Sequence, residues 1–217
     1  MRDYLALTKP RITWLILMST GIGYFFGVQG AWNWMGLFHT ILGTALICSG
    51  TAALNQWYER DSDAKMHRTQ WRPLPSGKMT PANAFIFAVI ISLAGFTELT
   101  FGVNLLTGLL GLYTLLSYLL IYTPLKRRTP HSTTIGAIPG ALPTLIGFAA
   151  ARGAITAEAW ILFLILFLWQ FPHFYAIAWM YREDYQRAGI RMLPVLDRDG
   201  EATAWHIMLF HVARVPV

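Results

Sequence analysis

Charge is the scarcest commodity in this 217-residue sequence. Only 13% of its residues are Asp, Glu, Lys or Arg, against about 25% in soluble domains. With 55% hydrophobic residues beside it, that deficit excludes an ordinary soluble enzyme, a disordered tail and a nucleic-acid-binding module. Cysteine is almost missing as well. The lone Cys48 can frame neither a disulfide-stapled secreted domain nor a zinc site, and it reads as a small apolar residue in mid-span.

What the sequence has instead is long uncharged stretches. Between Arg11 and Glu59 lie 47 residues without a charge, between Lys78 and Glu98 19, between Glu98 and Lys126 27, and between both Arg128 and Arg152 and Glu158 and Arg182 23. A membrane span needs about 20 such residues. The first stretch holds two spans and each of the others one, which predicts an all-α, multi-span transmembrane helical bundle. Helices are expected at 12–28, 34–54, 81–101, 105–122, 133–150 and 160–181: six full spans, with 202–217 a partial seventh. Thr80-Pro81 is a helix-start pair, and Gly30, Gly102 and Gly153 fall in the short turns.

The basic residues set the orientation. Fifteen of the 17 Lys and Arg fall before span 1 or in the loops after spans 2, 4 and 6. Lys and Arg gather in cytoplasmic loops, so the N-terminus and all these loops are expected on the cytoplasmic side. The apolar run after Arg11 is of spanning length and lacks a small-residue cleavage site, and no Arg- and Ser-rich transit peptide is present. A bacterial cytoplasmic (inner) membrane is the expected location.

These loops are more than basic. The stretch NQWYERDSDAKMHRTQWRPLPSG continues directly from span 2. If the helix runs on, Asn55, Glu59 and Asp63 stand at i, i+4 and i+8 on one face. Carboxylates one turn apart repel, but such a stripe suits a hard cation such as Mg²⁺, which takes oxygen ligands and shares them with phosphates. Asp61 points about 160° away from Asp63 and reads as solvated. Lys65, Arg68 and Arg72 follow and can grip phosphate oxygens. The competing reading is an ordinary basic loop with acids for solubility.

The loop after span 4 opens with Tyr122-Thr-Pro-Leu-Lys126-Arg127-Arg128. Tyr and Lys/Arg also mark any helix end at a membrane surface. Span 5 carries Gly136, Pro139, Gly140, Pro143 and Gly147, so it is expected to be bent or broken, or to use its glycines as a close-packing surface. The loop after span 6, YREDYQRAGIRMLP, again sets carboxylates (Glu183, Asp184) ahead of arginines (Arg187, Arg191). Within span 6, Pro172 is expected to kink the helix near Gln170 and His173, polar positions that are either functional or satisfied by a neighbouring helix. His39 and His206 read as structural.

Taken together, these residues resemble the UbiA-type intramembrane prenyltransferases. The first loop looks like that family's first polar motif. YTPLKRRTPHSTTIGAIPGALPTLIG, WQFPHFYAIAW, DYQRAGIRMLPV and the opening LTKPRIT are similar to the branch that farnesylates protoheme IX to make haem O. The resemblance covers essentially the whole chain. It implies a single transmembrane prenyltransferase domain, 1–217, with a central cavity open sideways to lipid. It also implies more helices than this chain holds, so the C-terminal helices are expected to be missing and the cavity wall incomplete.

Carried over residue by residue, the family's N-x-x-x-D-x-x-x-D pattern falls on Asn55, Glu59 and Asp63, with Glu59 a departure from the usual aspartate. The second acidic motif is represented by Asp184 alone, because Ala188 stands where another acid is usual. The tyrosine-to-lysine motif falls on Tyr122 and Lys126. The resemblance therefore implies Mg²⁺ as cofactor, held by Glu59, Asp63 and Asp184, with Asn55 and Lys126 completing the catalytic set. Lys9, Arg11, Arg68, Arg72, Tyr122, Arg127, His173 and Arg187 are the implied substrate-binding residues, His173 toward the porphyrin. Implied partners are farnesyl diphosphate, haem B as substrate, the lipid bilayer, and hand-off to a downstream haem-modifying enzyme or oxidase assembly. The alternatives are a family member with an aromatic quinone-precursor acceptor, or an inactive fragment. A transporter would carry ionisable residues near the bilayer midplane, whereas here the stretches hold no Asp, Glu, Lys or Arg and the charges crowd the helix ends.

Overall fold

The computed structural model describes residues 2–215, and among them no strand forms. The helices are α1 (Arg2–Leu7), α2 (Pro10–Gly27), α3 (Trp34–Asp63), α4 (Pro81–Gly102), α5 (Leu105–Leu116), α6 (Thr123–Leu125), α7 (Ser132–Arg152), α8 (Ala157–Met180), α9 (Arg182–Arg187), α10 (Leu193–Leu196) and α11 (Glu201–Ala213), with a π-helical stretch, Ser117–Tyr122, joining α5 to α6.

Side-chain caps fix several starts. Asn33 accepts from the Gly36 N–H, Thr80 from Asn83 and Asn104 from Thr107, each satisfying an orphan donor of a first turn. Among the described residues, five helices are long and apolar enough to cross a membrane: α3, α4, the continuous run Leu105–Leu125, α7 and α8. The expected first span, α2, is 18 residues long but opens on Pro10-Arg11 and carries Ser, Thr and Gly, which dilutes its apolarity. The expected seventh segment is the 13-residue α11, about 20 Å long at 1.5 Å per residue. Its last two expected residues lie outside those described.

The 30 residues of α3 span about 45 Å, well beyond a hydrocarbon core of about 30 Å. Its last turns, Asn55 to Asp63, therefore project as a continuous helix toward the basic end of the bundle. At the centre stands α7, which packs on α2, α3, α5 and α8. Its spanning window is 67% buried, against 28% for the peripheral α4.

The expected break in α7 does not occur, since one helix runs through Pro139 and Pro143. Gln170 of α8 donates to the Ala137 carbonyl at 3.1 Å in the same stretch and ties the two helices together. The glycines serve close packing. A Cβ on Gly147 would lie 1.9 Å from the Thr20 carbonyl oxygen of α2, and one on Gly140 would lie 2.0 Å from Oε1 of Gln170. Helix α8 likewise continues through Pro172 to Met180.

Candidate active site

The polar stripe of α3 exists as expected. Asn55 and Asp63 are each 1% exposed, and Asn55 Nδ2 donates to Glu59 Oε2 at 2.9 Å, binding the first turn of the stripe together. Two buried carboxylates on one face cannot persist unanswered, because burial without a partner strongly disfavours the charged form. Each is answered by a cation from a different loop. Lys126 Nζ donates to both oxygens of Glu59, at 3.0 and 3.1 Å, and Arg72 donates to Asp63 Oδ2 at 2.6 Å.

The π-helical stretch helps place Lys126. Pro124 has no N–H, and in a regular helix its ring would press on the carbonyl one turn back. The wider turn accommodates this: the Thr123 N–H and its hydroxyl both donate to the Tyr118 carbonyl. Tyr118 and Tyr122 then lie with ring centroids 5.0 Å apart, and Lys126 Nζ sits 4.6 Å from the Tyr122 centroid. The back of the Tyr122 ring rests on Gly136 of α7, where a Cβ would meet it at 2.5 Å. Burial opposes the Lys126 charge, but the Glu59 carboxylate outweighs it and holds the ammonium well above the usual lysine range.

The N-terminal segment closes the cluster. Gln56 Nε2 donates to the Leu7 carbonyl at 2.8 Å, which pins α1 against α3. The chain then turns at Lys9 in the left-handed region (φ 47°), a conformation rarely held by a non-glycine residue without surrounding support. Its ammonium reaches Asn55 Oδ1 at 3.4 Å. Burial, with repulsion from Arg72 and Lys126 outdoing the pull of Glu59 and Asp63, lowers it to about 7.

Other expected residues sit elsewhere. Asp184 does not join Glu59 and Asp63, and no three acidic, histidine or cysteine side chains converge as a metal cluster among the described residues. Its carboxylate instead accepts the backbone N–H groups of His67 and Arg68, both at 3.2 Å, and pairs with Arg187. Burial would raise its pKa, but these donors outweigh burial and hold the carboxyl below the usual aspartate range. The Arg68 guanidinium lies over Tyr181, 5.0 Å from the centroid, and donates to the Tyr185 hydroxyl. Arg127 hydrogen-bonds Ser62 Oγ, Arg11 is exposed on the first turn of α2, and Asp61 is solvated as expected. His173 is exposed on α8, stacked on Trp169, away from the cluster.

Sequence reasoning missed Thr123, whose hydroxyl accepts from Asn55 Nδ2 at 3.2 Å, and Thr69, which donates to the Asp63 carbonyl. Tyr118 was findable, four residues before Tyr122. The loops are also tied to one another, since the Arg191 N–H donates to the Lys126 carbonyl at 2.8 Å.

Glu59 and Asp63, one helical turn apart, are a donor pair suited to a hard divalent cation, which needs only one or two carboxylates when phosphates supply the rest. Around them stand Lys9, Arg72 and Lys126. A bundle of apolar helices with buried carboxylates and cations at one polar end is the construction of an intramembrane enzyme for an anionic lipid-like substrate. The chain belongs to the UbiA prenyltransferase family, whose model matches residues 16–215.

Within that family it is similar to a protein from Solibacter usitatus (strain Ellin6076) named protoheme IX farnesyltransferase, 64% identical over 226 residues, a match covering 100% of this chain and 77% of the relative. A protein of the same name from Koribacter versatilis (strain Ellin345) is 47% identical over 221 residues, covering 100% and 71%. The fold matches a UbiA homolog from Archaeoglobus fulgidus bound to DMAPP and Mg²⁺ (TM-score 0.77, 18% identity, 99% of this chain and 75% of that one). It also matches the apo UbiA homolog from Aeropyrum pernix K1 (TM-score 0.81, 19% identity, 95% and 76%).

Proposed function

We propose that this chain transfers the farnesyl group of farnesyl diphosphate to a vinyl group of protoheme IX, giving haem O. The observation that carries the reaction type is the matched cluster at the end of α3, where Glu59 and Asp63 face Lys126 and Arg72. The acceptor rests on the 64% identity to a protoheme IX farnesyltransferase over the full chain.

Lys126, Arg72 and Lys9 bind the non-bridging oxygens of the diphosphate, and Glu59 and Asp63, with Asn55 beside them, hold Mg²⁺. When bound, Mg²⁺ supplies Lewis-acid neutralisation of the departing diphosphate. Lys126 and Arg72 already lie against carboxylates, so arrival of a metal diphosphate exchanges one set of ion pairs for another. Lys126 and Arg72 are aimed where negative charge grows as the allylic C–O bond breaks, which is electrostatic catalysis by fixed groups. The apolar helices below keep water from the farnesyl cation until the vinyl group attacks; a water molecule then adds to the cation left on the former vinyl group and loses a proton, giving the hydroxyethylfarnesyl substituent while diphosphate leaves.

The expected topology belongs to the same proposal. Six spans, with α2 among them, put the N-terminus and the cluster on the cytoplasmic side of a bacterial inner membrane, as the one-sided Lys and Arg distribution supports. Incubating the chain in lipid vesicles with haem B, farnesyl diphosphate and Mg²⁺ tests the reading by chromatography. A product with the retention of haem O is expected. Prenylation of an aromatic quinone precursor and none of haem would overturn the acceptor.

A further inference from the structure

Serine and threonine hydroxyls in this bundle commonly return to their own helix. Thr20, Thr40, Thr51, Ser92 and Thr114 each donate to the carbonyl four residues back. Thr44 and Thr100 have no partner, but each lies singly inside a helix, α3 and α4. Ser132 and Thr133 differ from all of these. They are adjacent and open α7, they are 0% and 2% exposed, and neither hydroxyl has a hydrogen-bond partner among the described residues. At the first turn there is no helical carbonyl four residues back to take them.

The backbone there is equally unsatisfied. His131, the residue before the helix, gives no side-chain cap, unlike Asn33, Thr80 and Asn104. The N–H groups of Thr134 and Ile135 reach the His131 carbonyl, but those of Ser132 and Thr133 have no acceptor among the described residues. Side chains lean toward the start of their own helix, so two hydroxyls and two N–H groups are aimed past one end of a 21-residue helix. The macrodipole makes that end positive, and such an end takes phosphate. Buried polar groups left without a partner are rare in folded proteins, and four donors converging at one place fit an anion.

This end of α7 borders the diphosphate cluster. Ser132 stands one turn before Gly136 and on the same face, and Gly136 backs the Tyr122 ring that carries the Lys126 ammonium. Gly23 packs on Thr144 and Gly27 on Phe148, so α2 and α7 run side by side at a fixed offset. Carried back at that offset, Ser132 and Thr133 come level with the first turn of α2, which begins beside Lys9. We propose that the start of α7, with Ser132 and Thr133, is the subsite for the distal phosphate of the prenyl diphosphate, an inference that rests on the substrate proposed above. The prenyl chain lies among the apolar helices, so the phosphate bonded to it is the inner one and the distal phosphate is held farther out, at the level of the helix start. When the allylic C–O bond breaks, its electron pair stays on the diphosphate, and the hydroxyls and N–H groups of α7 share the charge with Lys126 and Arg72.

The test measures binding by calorimetry to the full chain in lipid nanodiscs with Mg²⁺, using inorganic diphosphate, farnesyl diphosphate and farnesyl monophosphate as probes. Ser132→Ala/Thr133→Val should weaken both diphosphates about tenfold and leave the monophosphate, which lacks the distal group, as in the native protein. Ser132→Thr/Thr133→Ser keeps both hydroxyls and should bind like native. Without ligand, the Ala/Val variant should melt no lower than native, because it removes hydroxyls that bond to nothing. If the native protein binds diphosphate and the Ala/Val variant binds it equally well, the subsite is overturned and the cluster on α3 stands. A variant that melts lower, or loses the monophosphate to the same degree, shows that the hydroxyls support the fold and also overturns the subsite. If the native protein binds neither diphosphate, the substrate reading falls and the subsite with it.

Discussion

Lys126 Nζ lies 3.0 and 3.1 Å from the two oxygens of Glu59, an ion pair between the end of α3 and the loop after α6, with both side chains almost out of solvent (13% and 14% exposed). It joins the two loops on which the chemistry depends. Removing one partner of a buried pair leaves the other charge stranded, which costs about 3–5 kcal/mol, whereas removing both is far milder. Lys126→Met should therefore lower the thermal midpoint in detergent, and the double variant Lys126→Met/Glu59→Gln should recover much of it. Neither should turn over substrate. Recovery of activity in the double variant would contradict the assigned roles.

Lys9 gives the site a pH dependence near neutrality. Its pKa is lowered in the folded protein to about 7 from the usual lysine value of 10.5, so the fold disfavours the protonated form. The cost is fully present below about pH 7 and is relieved as pH rises from about 7 to 10.5, where the unfolded chain binds the extra proton. An arriving diphosphate reverses the preference. Calorimetry of farnesyl diphosphate binding near pH 7.5, in buffers of different ionisation heat, should show proton uptake that Lys9→Met removes. Equal uptake in the variant would show that another group titrates.

Asp184 is expected to act through the backbone it caps. Asp184→Asn should speed amide hydrogen exchange at His67 and Arg68 and raise KM for the diphosphate, while leaving the Mg²⁺ concentration dependence of turnover where it was. A shifted Mg²⁺ dependence would return Asp184 to the metal.

Gly147 tests the packing of α7 on α2. A Cβ there would sit 1.9 Å from the Thr20 carbonyl oxygen, and backbone cannot yield as a flexible side chain can. Gly147→Ala should destabilise the bundle by about 1–3 kcal/mol, the usual cost of overpacking, read as a lower melting midpoint. An unchanged midpoint would mean the two helices separate freely.

Much of this was legible in the sequence because helical periodicity fixes faces. Asn55, Glu59 and Asp63 were placed on one stripe by spacing alone, and five of the six expected spans recur among the described residues as helices long and apolar enough to cross a membrane. What spacing cannot supply is the partner from another element. That Lys126 answers Glu59 and Arg72 answers Asp63 depends on how the loops fold over α3. The partners of Asp184 were hidden for the same reason, since nothing in DYQRAG reveals that its carboxylate meets the backbone of residues 67 and 68. Pro139 and Pro143 predicted a bent or broken α7, or one whose glycines serve close packing; it runs unbroken, packed on four helices through those glycines.

The central claim is that Glu59 and Asp63 hold a divalent cation that carries the prenyl diphosphate. Its most direct test is farnesyl transfer to haem B by native protein and by Asp63→Ala, across a Mg²⁺ titration from a chelated start. The native protein should be inactive with chelator and saturate with Mg²⁺, and Asp63→Ala should stay inactive at every concentration although it still melts cooperatively. Mg²⁺-dependent turnover by Asp63→Ala at the native rate would contradict the account.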